Sequence, residues 1–229
     1  MERQFDEDLK NLRALLMRMA SLVEESITQA VLALKANDER AARQVLEREE
    51  EVNLLDIEVD GACLRLLALK QPMAGDLRFI TSAMKIGEEL ERMGDLAVNI
   101  AERTLELIKL PPLKPLIDIP RMAALAQAMV RDVISAFVTG NEKLAREVCC
   151  RDDEVDELND QIFRELLTYM MQDSGNIARA VGLILIGRHL ERIADHATNI
   201  GEAVFYLVEG KTIKHHIETR DRKNIKLTC

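Results

Sequence analysis

Tryptophan is absent, two tyrosines and five phenylalanines give an aromatic share of only 3%, and there are five prolines and ten glycines in 229 residues. Sheet faces draw on β-branched and aromatic side chains, so this scarcity weighs against an all-β fold. Few breakers also means few loops. Positive charge is not in surplus either: 31 Lys and Arg stand against 40 Asp and Glu, a formal net charge of −9. Phosphate-backbone binding needs a basic face, so nucleic acid is not an expected partner. The longest uncharged apolar run, Ala180 to Gly187, is less than half a membrane span. The first residues, Met1 to Asp8, lack the apolar core of a signal peptide. Cys63, Cys149, Cys150 and Cys229 have no CxxC spacing, and adjacent cysteines rarely pair with each other. The expectation is four reduced thiols in a cytoplasmic protein that meets a membrane only indirectly.

What is present is helix-forming chemistry. Hydrophobic residues make up 48% and charged residues 31%, enough for a core and too apolar for disorder. Leu, Ala, Glu and Arg keep their rotamer freedom in helices. Leu9, Leu12, Leu16, Met19, Val23 and Ile27 recur at steps of three and four, one buried stripe. Asn37-Asp38 interrupts it, and Asp38 is placed to cap a second helix. That helix carries Val45, Val52, Leu55, Val59 and Leu66 and stops at Gln71-Pro72. A third, with Leu77, Ile80, Met84, Leu90 and Met93, ends near Leu107.

Residues 109–118 hold three of the five prolines and read as a linker at mid-chain. The pattern then restarts, with helices expected over 119–138, 142–172 and from after Asn176 to about 208, closed by Gly210. The two halves are one object duplicated. Leu90 to Glu102 and Leu190 to Glu202 are identical at eight of thirteen positions. Glu39 to Val45 aligns with Glu142 to Val148 at an offset of 103. A repeat of that length is too long for a solenoid unit. The sequence predicts an all-α protein of two tandem homologous three-helix bundles: residues 1–108, the linker 109–118, and residues 119–210. Residues 211–229 form a basic tail with six Lys/Arg against Glu218 and Asp221. That tail reads as a solvated end, or as a contact for anionic lipid or an acidic partner.

On a helical wheel Glu91, Asp95, Asn99 and Glu102 lie within about 80° of one another, opposite Leu90, Met93, Ala97 and Ile100. Glu191, Asp195, Asn199 and Glu202 repeat the stripe. The middle helix of the second half adds Asp152 and Asp156; the aligned residues of the first half are Glu49 and Asn53. Helices packed 8–10 Å apart bring such pairs together. Like charges at i, i+4 cost a few tenths of a kcal/mol when unpaired, and oxygen-loving cations such as Mg²⁺, Mn²⁺ and Fe use that arrangement. The competing explanation is a solvated acidic face relieved by Arg92 and Arg192. His189 and His196 read as local surface residues, His196 being placed beside Asp195 to join a site. No Glu-x-x-His pair, HExxH, phosphate-cradling glycine loop or GxSxG is present. A regulatory rather than catalytic role is expected; the alternative is a metal-binding bundle with storage or hydrolase activity.

Gln71-Pro72 with Asp76-Leu77-Arg78, the doubled Glu-Arg-x-x-Asp of residues 91–95 and 191–195, Tyr169-Met170-Met171, and Val204 to Gly210 together resemble the PhoU family of phosphate-signalling regulators. The resemblance runs from about residue 5 to 210. It implies two three-helix bundles, a cytoplasmic and frequently homodimeric protein, and a non-enzymatic role. That role is to restrain the phosphate-starvation response by linking a phosphate ABC transporter, through its ATPase, to a sensor histidine kinase. It also implies surface metal ions (Fe, Mn, Zn or Mg) on (Glu/Asp)-x-x-x-Asp motifs, matched here by Glu91/Asp95, Glu191/Asp195 and Asp152/Asp156. Glu49/Asn53 departs from the motif, since an amide is an uncharged, weaker ligand. Asn99, Glu102, Asn199, Glu202 and His196 are further candidates for metal or partner contacts.

Overall fold

Caps and breaks divide the described residues into six long helices. A computed structural model describes residues 2–210, with side chains from Phe5 onward; the basic tail lies outside the described residues. The helices are α1 (Glu2–Ala36), α2 (Glu39–Lys70), α3 (Ala74–Leu107), α4 (Asp118–Thr139), α5 (Glu142–Gln172) and α6 (Ile177–Glu209). No strand occurs among the described residues, and a single 3₁₀ turn, Ser174–Asn176, precedes α6.

The two halves start their middle helices with the same device. Asn37 (φ 54°) and Gly140 (φ 64°) take the left-handed conformation that ends a helix. The next residue caps the following helix: Asp38 accepts from the Ala41 N–H at 3.0 Å and Asn141 from the Leu144 N–H at 3.2 Å. Pro72 sits in the connection between α2 and α3 rather than inside a helix. Gly210 closes α6 at φ 68°.

Each half buries its stripes in an antiparallel bundle, α1–α2–α3 and α4–α5–α6, and the halves meet through α3 against α6 and α1 against α4. The result is one continuous core, running from Leu12 and Met19 through Ile86 and Met93 to Met129, Ile186 and Ile193. Phe79 of α3 stacks on Phe137 of α4 at a centroid distance of 5.2 Å, with Arg13 of α1 over the Phe79 ring at 4.7 Å. Such a pair adds about 0.5–1.5 kcal/mol beyond its area, and here it joins the two halves. By length and composition α4 could cross a membrane, but Met122, Ala126, Met129 and Val133 are wholly buried in this core.

α3 and α6 run antiparallel. At one end the Arg78 Nε–H donates to the Leu207 carbonyl at 3.3 Å, which gives the Asp76-Leu77-Arg78 segment a role in closing α6. At the other end α6 presents Gly182, where a Cβ would lie 2.8 Å from the Leu107 Cδ2. The beginning of α3 therefore lies beside the end of α6. Beyond Leu107, the linker lies along the second half: Lys114 is paired with Glu165, and Arg179 donates to the Pro111 carbonyl at 3.1 Å. The turns that precede α3 and α6 sit at opposite ends of the molecule, each with exposed apolar residues: Leu69 and Met73 at one, Met171 and Ile177 at the other.

Cys63 and Cys149 are free thiols. Burial, helped by Asp60, pushes Cys63 up to about 12; burial, with Glu202 and Asp152, pushes Cys149 up to about 11. The expectation of reduced thiols holds at these two positions; Cys229 lies outside the described residues.

Candidate functional site: paired carboxylates between helices

In the second half, Asp152 and Asp156 of α5 face Glu191 and Asp195 of α6. The closest constraint is on Asp152. Its Oδ1 is buried without a hydrogen-bond partner. Burial, then the charges of Asp195, Asp156, Asp153 and Glu191, push its carboxyl from 3.8 up to about 7. Asp156 and Glu191 are raised as well, by burial first and then by their acidic neighbours. Asp195 is raised by burial and Asp156, against the lowering effect of His196 and Arg192. Four carboxyls thus crowd one crevice with more negative charge than it can comfortably hold.

The first half is built differently from expectation. Glu91 is raised by burial, by Asp95, and then by Asp56 of α2; Asp56 is raised by burial, Asp60 and Glu88. The α2 carboxylate that faces Glu91 is therefore Asp56, one turn beyond Asn53. Glu49 and Asn53 instead line a shallow open groove with Glu50, Leu54 and Ile57. The duplication explains the shift. A Cβ on Gly87 would sit 3.3 Å from Asp56 Oδ1, and one on Gly187 would sit 3.0 Å from Asn159 Oδ1. Asp56 and Asn159 are equivalent, and so are Asn53 and Asp156: acid and amide have exchanged places one turn apart. The signal was available, since Asp56 and Asp60 are themselves an i, i+4 pair.

Across α3 and α6 the structure assembles a cluster that spacing alone did not reveal. His196 is buried, not a surface residue, and its Nδ1 lies 2.6 Å from Glu89 Oε2; the Asn199 amide donates to the same oxygen at 3.2 Å. Burial pushes the Glu89 carboxyl up, but the His196 and Asn199 hydrogen bonds and the nearby positive charge outweigh it and hold Glu89 below its usual value. Glu89 also borders a groove of about 500 Å³ with Lys85, Glu88, Glu202 and Tyr206. The Lys85 Nζ lies 5.7 Å from the centre of the Tyr206 ring. The repeat conceals this pair: the residue equivalent to Glu89 is His189, whose Nδ1 is buried without a partner and whose proton affinity is lowered by burial, Arg192 and Arg103. Asn99 is half-buried and Glu102 exposed on the first-half stripe.

Among the described residues no three His, Cys, Asp or Glu side chains converge closely enough to hold a metal ion in their present rotamers. Nor does any described Ser or Thr side chain, or Cys63 or Cys149, hydrogen-bond to a histidine or carboxylate base, the arrangement that activates a nucleophile.

Fold and site define a duplicated three-helix-bundle protein with carboxylate clusters at its interhelical crevices. A family model, the PhoU domain, matches it twice, over residues 16–104 and 119–204. The chain belongs to the PhoU family. It is 41% identical over 219 residues to the phosphate-specific transport system accessory protein PhoU homolog of Zymomonas mobilis, covering 96% of this chain and 92% of that one. The homolog of the same name from Aquifex aeolicus is 43% identical over 214 residues, 93% and 97% of the two chains. The crystal structure of PhoU from Pseudomonas aeruginosa superposes with a TM-score of 0.87 at 38% identity, covering 90% of this chain and all of that one. The phosphate transport system regulatory protein PhoU from Streptococcus pneumoniae gives 0.85 at 30% identity, covering 92% and 100%.

Proposed function

We propose that this protein is a cytoplasmic, homodimeric regulator of phosphate uptake, an adaptor that restrains the phosphate-starvation response by coupling the ATPase of a phosphate ABC transporter to a sensor histidine kinase. The observation that carries the reading is full-length similarity, at about 40% identity, to proteins named as accessory to phosphate-specific transport. Both halves take part in it, so the whole duplicated architecture is shared rather than one bundle. The protein acts by binding and not by turnover, through its long helical faces. Deleting its gene raises expression of phosphate-scavenging genes in phosphate-rich medium by tenfold or more, and the intact gene restores repression. Unchanged expression in a transcript assay ends this reading.

We also propose that the second-half carboxylates take up a metal ion, their side chains turning inward from the rotamers described above, in which no three of them converge. Asp152 presents a buried oxygen without a partner, surrounded by Asp156, Glu191 and Asp195, and hard oxygen donors of this kind suit Mg²⁺, Mn²⁺ or Fe, with Zn²⁺ as a borderline cation. A bound cation would relieve the repulsion that raises all four carboxyls. In the first half, Glu91, Asp95 and Asp56 form the corresponding set, in place of Glu49 and Asn53. Elemental analysis of protein purified without chelator tests this. Stoichiometric metal in the wild type and its loss in Asp152→Asn/Asp195→Asn support the site; no metal in either returns the clusters to a surface for partners.

A further inference from the structure

The outer face of α2 is apolar where a solvated helix is normally polar. Leu54, Ile57 and Leu64 are 55%, 67% and 57% exposed. With Gly61 and Ala68 they follow steps of three, four, three and four, a stripe opposite the buried line of Val52, Leu55, Val59, Cys63 and Leu66. The duplicate half shows the same position facing water. There α5 carries Glu157, Asp160 and Arg164 where α2 has Leu54, Ile57 and Gly61, and keeps apolar residues, Leu167 and Met171, only at the positions of Leu64 and Ala68. The bundle therefore folds with charge at the positions of Leu54, Ile57 and Gly61, and the unbroken stripe of α2 serves something outside it.

Its symmetry indicates what. Leu54 and Ala68 stand seven residues on either side of Gly61, and Ile57 and Leu64 stand four and three. Glu58 and Arg65 lie on one edge of the stripe at the same steps, and among the described residues neither forms an ion pair. Gly61 allows close approach, and Arg65 already reaches back over it, its Nη1 3.3 Å from where a Cβ would be. A two-fold axis through Gly61 lays α2 antiparallel on another α2, matches Leu54 with Ala68 and Ile57 with Leu64, and puts each Glu58 opposite an Arg65. Three-four spacing is that of an antiparallel helical seam, and a self-matching surface is what a two-fold interface requires. We infer that α2 is the dimer interface, pairing with α2 of a second copy of this chain across Gly61. The seam from Leu54 to Ala68 is about 21 Å long, short for a standard interface, so the dimer dissociates in the micromolar range. This deepens the reading of a homodimer given above and does not depend on the regulatory role, which the transcript assay judges separately.

Sedimentation velocity on the full chain from 1 to 100 µM provides the test, with circular dichroism to confirm that each variant is folded. The wild type shows a monomer–dimer equilibrium, and Ile57→Glu weakens it tenfold or more. Glu58→Arg and Arg65→Glu each weaken it, and the double swap Glu58→Arg/Arg65→Glu restores it to within about threefold, because only a two-fold antiparallel pairing lets the exchanged charges meet again. A wild type that stays monomeric at 100 µM overturns the inference. So does a dimer indifferent to Ile57→Glu, or a double swap weaker than either single change.

Discussion

Asp152 keeps its proton to about pH 7 because burial and the neighbouring carboxylates oppose its charge. An unfolded Asp releases that proton near 3.8. The folded chain thus binds the extra proton between these values, and the associated stability is present below pH 3.8 and lost as pH rises through 7. Above that window a charged Asp152 strains the crevice. In chelated protein, Asp152→Asn is therefore more stable than the wild type at pH 8, by about 1–2 kcal/mol once solvent screening at this half-exposed group is allowed for. That corresponds to a Tm higher by roughly 2–6 °C, and the gap closes below pH 4. Thermal melts at both pH values check it, and equal Tm at pH 8 refutes the argument. At this scale the sequence was partly legible. Periodicity puts Asp152, Asp156, Glu191 and Asp195 on facing helices, since i, i+4 spacing is local. The opposition of Asp56 to Glu91, and of Glu89 to His196, depends on the register between helices, which no single-helix pattern contains.

At the scale of elements, the doubled motif and the caps at Asp38 and Gly210 read directly from the chain, because each acts within a turn of itself; the Asn141 cap emerged only in the structure. How closely the helices approach was not readable. Gly201 of α6 faces the Ala145 carbonyl and Cys149 of α5, where an added Cβ would lie 3.2 Å and 3.0 Å away. The carbonyl cannot yield without moving the α5 backbone. Gly201→Val forces the helices apart and costs roughly 1–3 kcal/mol, seen as a lower urea midpoint at unchanged slope. The same substitution at Gly75, which has open space around the would-be Cβ, carries only its local backbone effect and serves as the control.

For the whole molecule, the sequence division into residues 1–108 and 119–210 describes the repeat but not the cooperativity. The core passes without a break from α1 and α3 into α4 and α6, and the Phe79–Phe137 stack sits on the junction. Neither half has a closed surface of its own to keep when the other melts. Calorimetry of the chelated chain shows one endotherm whose calorimetric and van't Hoff enthalpies agree; two resolved endotherms refute this. Phe137→Ala, removing a side chain that is 2% exposed, lowers that single transition by roughly 3–5 kcal/mol instead of splitting off one bundle.

The antiparallel run of α3 beside α6 also sets a distance. A helix of 34 residues measures about 51 Å, so the equivalent turns before α3 and α6 are held apart by about that length and point in opposite directions. The molecule is a strut with the same grip at each end. Whatever grasps Leu69 and Met73 at one end leaves Met171 and Ile177 free at the other, and a body held at both ends is kept at a fixed span.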